Sequence, residues 1–134
     1  MIVTKDKTLE MITEEIFAAL VKQGGQCLAN GSCAYGNSLG QHCAVGFLLP
    51  PGSRAMAAVD TSVRGLVDEY EYSEELGPNS EFMRGNLNFL EDLQKLHDET
   101  APQDALTQFV TNYKFTTPSL NQWVAHRMAQ LKEH

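Results

Sequence analysis

Apolar residues recur at three- and four-residue spacing along most of this chain, which is the pattern of amphipathic α-helices. The first such stretch begins after Thr8, which suits an N-cap, and stops at Gly24-Gly25. Its apolar positions are Leu9, Ile12, Ile16, Ala19 and Leu20. The spacing therefore predicts a helix over residues 8–23.

The clearest helical pattern lies between Ser80 and Glu99, where apolar side chains cover half of the helical circumference. Those side chains are Phe82, Met83, Leu87, Phe89, Leu90, Leu93 and Leu96. We predict one continuous helix here, with Ser80 as its N-cap.

Three further helices are predicted from the same periodicity. One runs to Tyr70 with Asp60 or Thr61 as its cap, and another is opened by Pro102. The last is opened by Pro118, and Trp123 lies on its apolar stripe, where we expect a core residue.

The stretch CAYGNSLGQHCAVGFLLP, residues 33–50, interrupts this helical pattern with glycines and turn-forming residues. We predict a small β-hairpin near residues 33–43, followed by a short helical turn that ends at Pro50. A glycine inside that apolar turn, Gly46, indicates that another backbone passes close by, such as the helix that begins at Ser80.

These elements predict a mainly α fold, a compact single domain over residues 1–134 with one small β-hairpin near residues 33–43. The chain has 134 residues, 43% of them apolar and 20% charged, which suits a soluble globular domain.

The charge of the chain limits the partners that we expect. The net charge is −7, and the ten Lys and Arg residues are scattered along the sequence. No basic stripe is present to contact phosphates, so we expect no direct binding to nucleic acid. The N-terminal residues lack the apolar region of a signal peptide, and no apolar run approaches the roughly 18 residues of a membrane span. We therefore expect a cytoplasmic protein with no membrane partner.

Cys43 and His97 are the candidates for catalysis. His97 lies in the apolar arc of its predicted helix, and Asp98 at the edge of that arc could orient a neighbouring group. Thiol catalysis needs a thiolate, a base and an oxyanion site, and the chain shows no recognisable group for the third role. The alternative is a core histidine and a cysteine that packs as a small hydrophobe, so we assign no catalytic residue.

A metal site could use Cys33, Cys43 and His97. Structural zinc sites usually take four Cys or His ligands in two close pairs, and the sequence has no CxxC or HxxxH motif. We therefore predict no metal and no other cofactor.

Two segments together resemble a known family. The pattern C-x-Y-x(4)-G-x-x-C-A-[VI]-G, followed by apolar residues and proline, stands here as Cys33, Tyr35, Gly40, Cys43, Ala44, Val45, Gly46 and Pro50. The pattern L-x-x-L-Q-x-x-H-D stands here as Leu90, Leu93, Gln94, His97 and Asp98. The chain resembles a family of small uncharacterised bacteriophage and prophage proteins in these motifs. The resemblance implies a phage-type accessory role, brings no catalytic residues, and suggests that the two segments pack together.

We expect a small acidic accessory protein that binds a host or phage protein without catalysis of its own. The candidate binding surface is the acidic segment DEYEYSEE, residues 68–75, with Tyr70, Glu71, Tyr72 and Glu74 as binding residues. An ordinary solvated loop has the same composition.

Two other hypotheses follow from the sequence. One is a thiol- or metal-dependent enzyme centred on Cys43 and His97. The other is an inhibitor that mimics nucleic acid, which predicts carboxylates in rows on one face. The identity of the partner and the oligomeric state stay open at this point.

Overall fold

The computed structural model describes residues 1–24, 28–29, 32–37, 39–58, 61–71, 74–98 and 101–132, and only the backbone of residues 28–29 and 32–33. This part of the chain is mainly helical, as predicted. Its α-helices are α1 (Leu9–Gln23), α2 (Val63–Tyr70), α3 (Ser80–Gly85), α4 (Leu87–Asp98), α5 (Pro102–Tyr113) and α6 (Pro118–Lys132). Two 3₁₀ helices, Val45–Leu48 and Glu74–Asn79, and two strands, β1 (Leu28–Ala29) and β2 (Ser32–Cys33), complete the described elements.

Helix α1 begins and ends as its sequence predicts. The Thr8 hydroxyl accepts a hydrogen bond from the backbone N–H of Met11 at 3.1 Å, which satisfies one of the free donors of the first turn. Gly24 adopts φ 87° after the last turn, and its N–H donates to the Leu20 carbonyl at 3.0 Å. Residue identity at the two caps therefore fixes the length of the helix.

The single helix predicted over residues 80–99 is wrong in its middle and at its start. It is divided at Asn86, where φ −136° and ψ 38° leave the helical region, into α3 and α4. The residue before α3 is Asn79, so Ser80 is the first helical residue and not the cap. Similarly, Ser62 caps α2 by accepting from the Gly65 N–H at 3.0 Å, so the predicted cap Thr61 is wrong, and the alternative Asp60 lies outside the described residues.

The β-hairpin predicted near residues 33–43 is not present as a pair of strands in the described backbone. An antiparallel bridge joins Gly36 to His42, and the Asn37 N–H donates to the Gln41 carbonyl at 3.2 Å across the turn. The two-residue antiparallel ladder lies earlier, with Leu28 opposite Cys33. Residues 34–37 and 39–43 therefore form a hydrogen-bonded turn that leads into the 3₁₀ helix.

Gly46 is the point where this turn meets the 3₁₀ helix. A Cβ atom at Gly46 would lie 1.9 Å from the carbonyl oxygen of Tyr35. The prediction of a closely passing backbone is confirmed, but the backbone is that of Tyr35 and not that of the 80–99 segment. Only glycine leaves room for this crossing.

The core is one cluster of buried apolar side chains to which the helices contribute. Helices α1 and α6 pack together, and the rings of Phe17 and Trp123 lie 6.3 Å apart. Trp123 is fully buried, so its predicted place in the core is confirmed. Helix α4 adds Leu90, Leu93 and Leu96, whose periodic spacing predicted their burial.

Asn79 connects three separate parts of the chain through its side-chain amide. Its Nδ2 donates to the carbonyls of Met1 and Leu48 at 2.7 and 2.9 Å, and its Oδ1 accepts from the Val3 N–H at 2.8 Å. The side chain is 1% exposed. These three bonds satisfy the buried amide and hold residues 1–3 against the 3₁₀ helix at Val45–Leu48.

Glu14 of α1 binds the first turn of α6. Its carboxylate accepts from the Ser119 N–H at 2.8 Å and from the Ser119 hydroxyl. Burial opposes ionisation, but the Ser119 hydrogen bonds and one from Thr117 outweigh it and hold the pKa of Glu14 below its ordinary 4.5. A carboxylate at a helix N-terminus is also favoured by the helix dipole.

We expect Glu14→Gln to lower the free energy of unfolding at neutral pH by about 0.5–1 kcal/mol. A carboxyl group whose pKa is lower in the folded state than in the unfolded state stabilises the fold at pH values above the unfolded-state pKa. This stabilisation is lost as the pH falls through the folded-state pKa. The stability gap between wild type and variant should therefore shrink below pH 4.5. Urea unfolding across this pH range measures the gap, and the exposed Glu69→Gln is the control. A gap that is constant with pH would contradict the assignment.

Candidate functional site

The thiol of Cys43 lies in the core rather than in a cleft. Its side chain is 1% exposed, and its Sγ accepts a hydrogen bond from the Gly46 N–H at 3.3 Å. Burial raises the pKa of Cys43 to about 12, although this hydrogen bond opposes the rise. A nucleophilic cysteine needs a lowered pKa and access for substrate, and Cys43 has neither.

Gln94 and Asp98 of α4 join the turn segment to His97. The Gln94 Oε1 accepts from the Val45 N–H at 3.3 Å, and its Nε2 donates to Asp98 Oδ2 at 3.2 Å. The other carboxylate oxygen, Asp98 Oδ1, lies 2.6 Å from His97 Nδ1. The Leu-Gln-x-x-His-Asp segment therefore forms a hydrogen-bonded chain, and it packs against the Cys43 segment as predicted.

The contact between His97 and Asp98 joins two neighbouring residues of one helix. Adjacent residues on a helix do not normally face each other. Asp98 is the last residue of α4, and its carboxylate reaches back to the ring of its neighbour. Asp98 thus orients His97, which is the role that the sequence suggested for it.

His97 is stacked on Trp123 of α6. The ring centroids lie 5.4 Å apart with an angle of 8° between the planes, and His97 is 1% exposed. A flat contact of this kind holds the imidazole against an apolar face. The arrangement supports packing between α4 and α6, and the described residues around it form core rather than an open cleft.

We expect the Cys43 thiol to react slowly with a disulfide reagent in the folded protein. With a pKa of about 12, only ~10⁻⁴ of the thiol is ionised near pH 8, and the reagent has no access. In the variant Cys27→Ser/Cys33→Ser, which leaves Cys43 alone, the reaction should be at least ~100-fold slower than in guanidinium. The same variant in denaturant is the control for complete labelling. A fast native reaction would contradict the burial of Cys43.

The metal candidates do not form a site in the described part of the chain. There, no group of three or more His, Cys, Asp or Glu side chains is arranged to hold a metal ion. The side chain of Cys33, one of the candidates, lies outside the described residues, as does Cys27.

The predicted binding residues of the acidic segment are in different environments. Tyr70 is half-buried, and the guanidinium of Arg54 lies 5.9 Å from its ring centroid. Glu71 is half-buried and Glu74 is exposed, while Tyr72 lies outside the described residues. Arg54 also donates from Nε to Glu75 at 3.2 Å, which ties the end of the segment to the turn at residues 51–57.

The side-chain amide of Gln23 holds the turn in place, and the sequence did not predict this role. Gln23, the last residue of α1, donates from Nε2 to the His42 carbonyl at 2.9 Å and accepts from the His42 N–H at 2.8 Å. The side chain thus pairs with one residue as a neighbouring strand would. Nothing in the local sequence distinguishes Gln23 from a solvated residue at a helix end.

Comparison of the chain with protein-family models, with curated proteins and with solved structures gives no match. The resemblance to bacteriophage proteins therefore rests on the two motifs alone. Within the described residues, none of the helices has both the length and the apolar character needed to cross a bilayer.

Proposed function

We propose that this chain is a small acidic accessory protein of phage type. It acts in the cytoplasm of a host cell by binding a host or phage protein, and it has no catalysis of its own. The observation that carries this proposal is the burial of Cys43 and His97, each 1% exposed. The two side chains that could support an enzyme serve the core instead.

The surface of the molecule supports binding through its charge. The net charge is −7, and exposed carboxylates occur at Glu10, Asp68, Glu69 and Glu74. Charge of one sign accelerates encounter with an oppositely charged partner and excludes similarly charged ones. This favours a partner with a basic surface.

The nucleic-acid mimic is less well supported than protein binding. Several carboxylates that a mimic would present are used inside the molecule: Glu14 binds Ser119, Glu75 binds Arg54, and Asp92 accepts from the Tyr113 hydroxyl at 2.5 Å. A mimic needs such groups free and in rows along one face.

A pull-down with the full chain tests the proposal. The tagged protein would be incubated with a lysate of the bacterium in which the gene occurs, and retained proteins identified by mass spectrometry. We expect one protein in near-stoichiometric amount, displaced by an excess of untagged chain. A tagged protein of similar size and charge is the control.

Two results would contradict the proposal. One is the absence of any protein that the untagged chain displaces. The other is stoichiometric zinc in freshly purified protein, which would favour the metal enzyme.

A further inference from the structure

A groove of about 370 Å³ lies where the first half of α1 meets the start of α6. Met11 lies in this groove with 45% of its surface exposed, although it belongs to a helix whose other face is buried. Pro118 is also exposed, whereas Thr117 is 3% exposed and closes the groove from below. The full lining is Glu10, Met11, Glu14, Glu15, Thr117 and Pro118.

The charged side chains at the rim of this groove are mostly carboxylates. The Glu14 carboxylate accepts a hydrogen bond from the Ser119 N–H, so this carboxylate is already bound at the start of α6. Glu15 lies 2.8 Å from Lys7, and the Glu15 side chain is 43% exposed. Glu10 is exposed in the first turn of α1. Three carboxylates therefore surround an apolar centre, and Lys7 forms an ion pair with one of them, Glu15.

We propose that this groove binds a segment of the partner protein that presents one apolar side chain next to lysine or arginine. The inference rests on the proposed function, since it names the surface and the chemistry of the partner. The apolar side chain contacts Met11 and Pro118, and the basic group lies beside the exposed carboxylate of Glu10.

The size and composition of the groove define what can bind. Ligand sites commonly measure about 300–1,000 Å³, so this groove at the small end takes a single side chain as an anchor rather than a whole helix face. Methionine is flexible and polarisable, and therefore adapts to different apolar side chains. The carboxylates select a basic neighbour and exclude an acidic one.

A short fluorescent peptide in which leucine and lysine alternate is the probe, and fluorescence anisotropy with the full chain gives its Kd. The same peptide with glutamate in place of lysine is the peptide control. We expect the basic peptide to bind and the acidic one not to bind. The variant Glu10→Gln/Met11→Gln should raise the Kd for the basic peptide by roughly tenfold, because it removes both the charge and the apolar contact.

The matched control is Glu69→Gln/Val110→Gln, which removes the same charge and one exposed apolar side chain outside the groove. It should change the Kd by less than about twofold. Circular dichroism and urea unfolding show whether each variant is folded. Equal weakening by both double variants would overturn the proposal, as would binding of the acidic peptide or no binding of the basic one.

The lysate pull-down separates this proposal from the proposed function. If the groove variant retains the same protein as wild type in the same amount, the groove assignment is wrong and the binding function stands. If wild type retains no specific protein, the binding function is wrong. The peptide measurement then still decides whether the groove takes basic segments.

Discussion

Gly46→Ala should destabilise the protein by about 3 kcal/mol or more, or prevent folding. The added Cβ would lie 1.9 Å from the Tyr35 carbonyl oxygen and 2.9 Å from its carbon, and both atoms belong to backbone. A backbone cannot move aside as the end of a side chain can. Relief of the clash would disturb the hydrogen bond from the Cys43 N–H to the same carbonyl, 3.2 Å long. Urea unfolding followed by circular dichroism measures the loss.

Gly85→Ala is the matched control for this variant. A Cβ at Gly85, at the end of α3, would meet no atom within 4 Å. This substitution should leave the free energy of unfolding unchanged or raise it by about 0.5 kcal/mol, because alanine restricts the unfolded chain. If the Gly46 variant were as stable as the Gly85 variant, the close approach of Tyr35 would be wrong.

Trp123→Ala should lower the free energy of unfolding by about 3–5 kcal/mol. The substitution empties a fully buried site and removes the ring on which His97 is stacked. It also removes the contact with Phe17, so α1 and α4 both lose a contact with α6. Urea unfolding followed by circular dichroism is the measurement, since the chain has one tryptophan and fluorescence is lost with it.

Two variants control for this effect. Trp123→Phe keeps an aromatic ring in the site and should cost less than the alanine variant. His126→Ala removes an exposed ring whose centroid lies 6.3 Å from that of Trp123, and it should cost less than about 0.5 kcal/mol. A loss at Trp123→Ala no larger than that at His126→Ala would show that the tryptophan is not a core residue.

The helices could be predicted because their determinants are local. The apolar spacing in α1 and the caps at Thr8 and Gly24 lie within one short stretch of sequence, and each acts on its own helix. Pro102 and Pro118 likewise mark the starts of α5 and α6. The mainly helical architecture follows from these signals.

The break between α3 and α4 and the turn at residues 33–43 could not be predicted in the same way. Periodicity continues through Asn86, so the pattern of apolar residues gives no sign of the change in backbone angles there. The turn depends on a residue distant in sequence. The hairpin prediction expects a second strand to bond to the His42 backbone, but the side chain of Gln23 makes those hydrogen bonds. Tertiary contacts therefore hold the turn, whereas the break at Asn86 is accompanied by a local hydrogen bond from the Asn86 amide to the Phe82 carbonyl, 2.9 Å long.

In the candidate site, too, local features could be predicted from the sequence and contacts between helices could not. The burial of His97 could be predicted from its place on the apolar arc, and the packing of Cys43 from its apolar neighbours. The stacking of His97 on Trp123 joins residues of different helices, and no spacing in the sequence encodes it. The groove at Met11 and Pro118 was missed because it forms only when α1 and α6 meet.

The amide of Asn79 cannot be replaced by a carboxylate without loss of hydrogen bonds. The substitution Asn79→Asp leaves a carboxylate, which accepts hydrogen bonds but donates none. At Asn79 the new oxygen would face the carbonyls of Met1 and Leu48, in a site that water does not reach. The Asn79→Asp variant should therefore release residues 1–3, which would exchange amide hydrogen with solvent faster while α1 and α6 keep their protection.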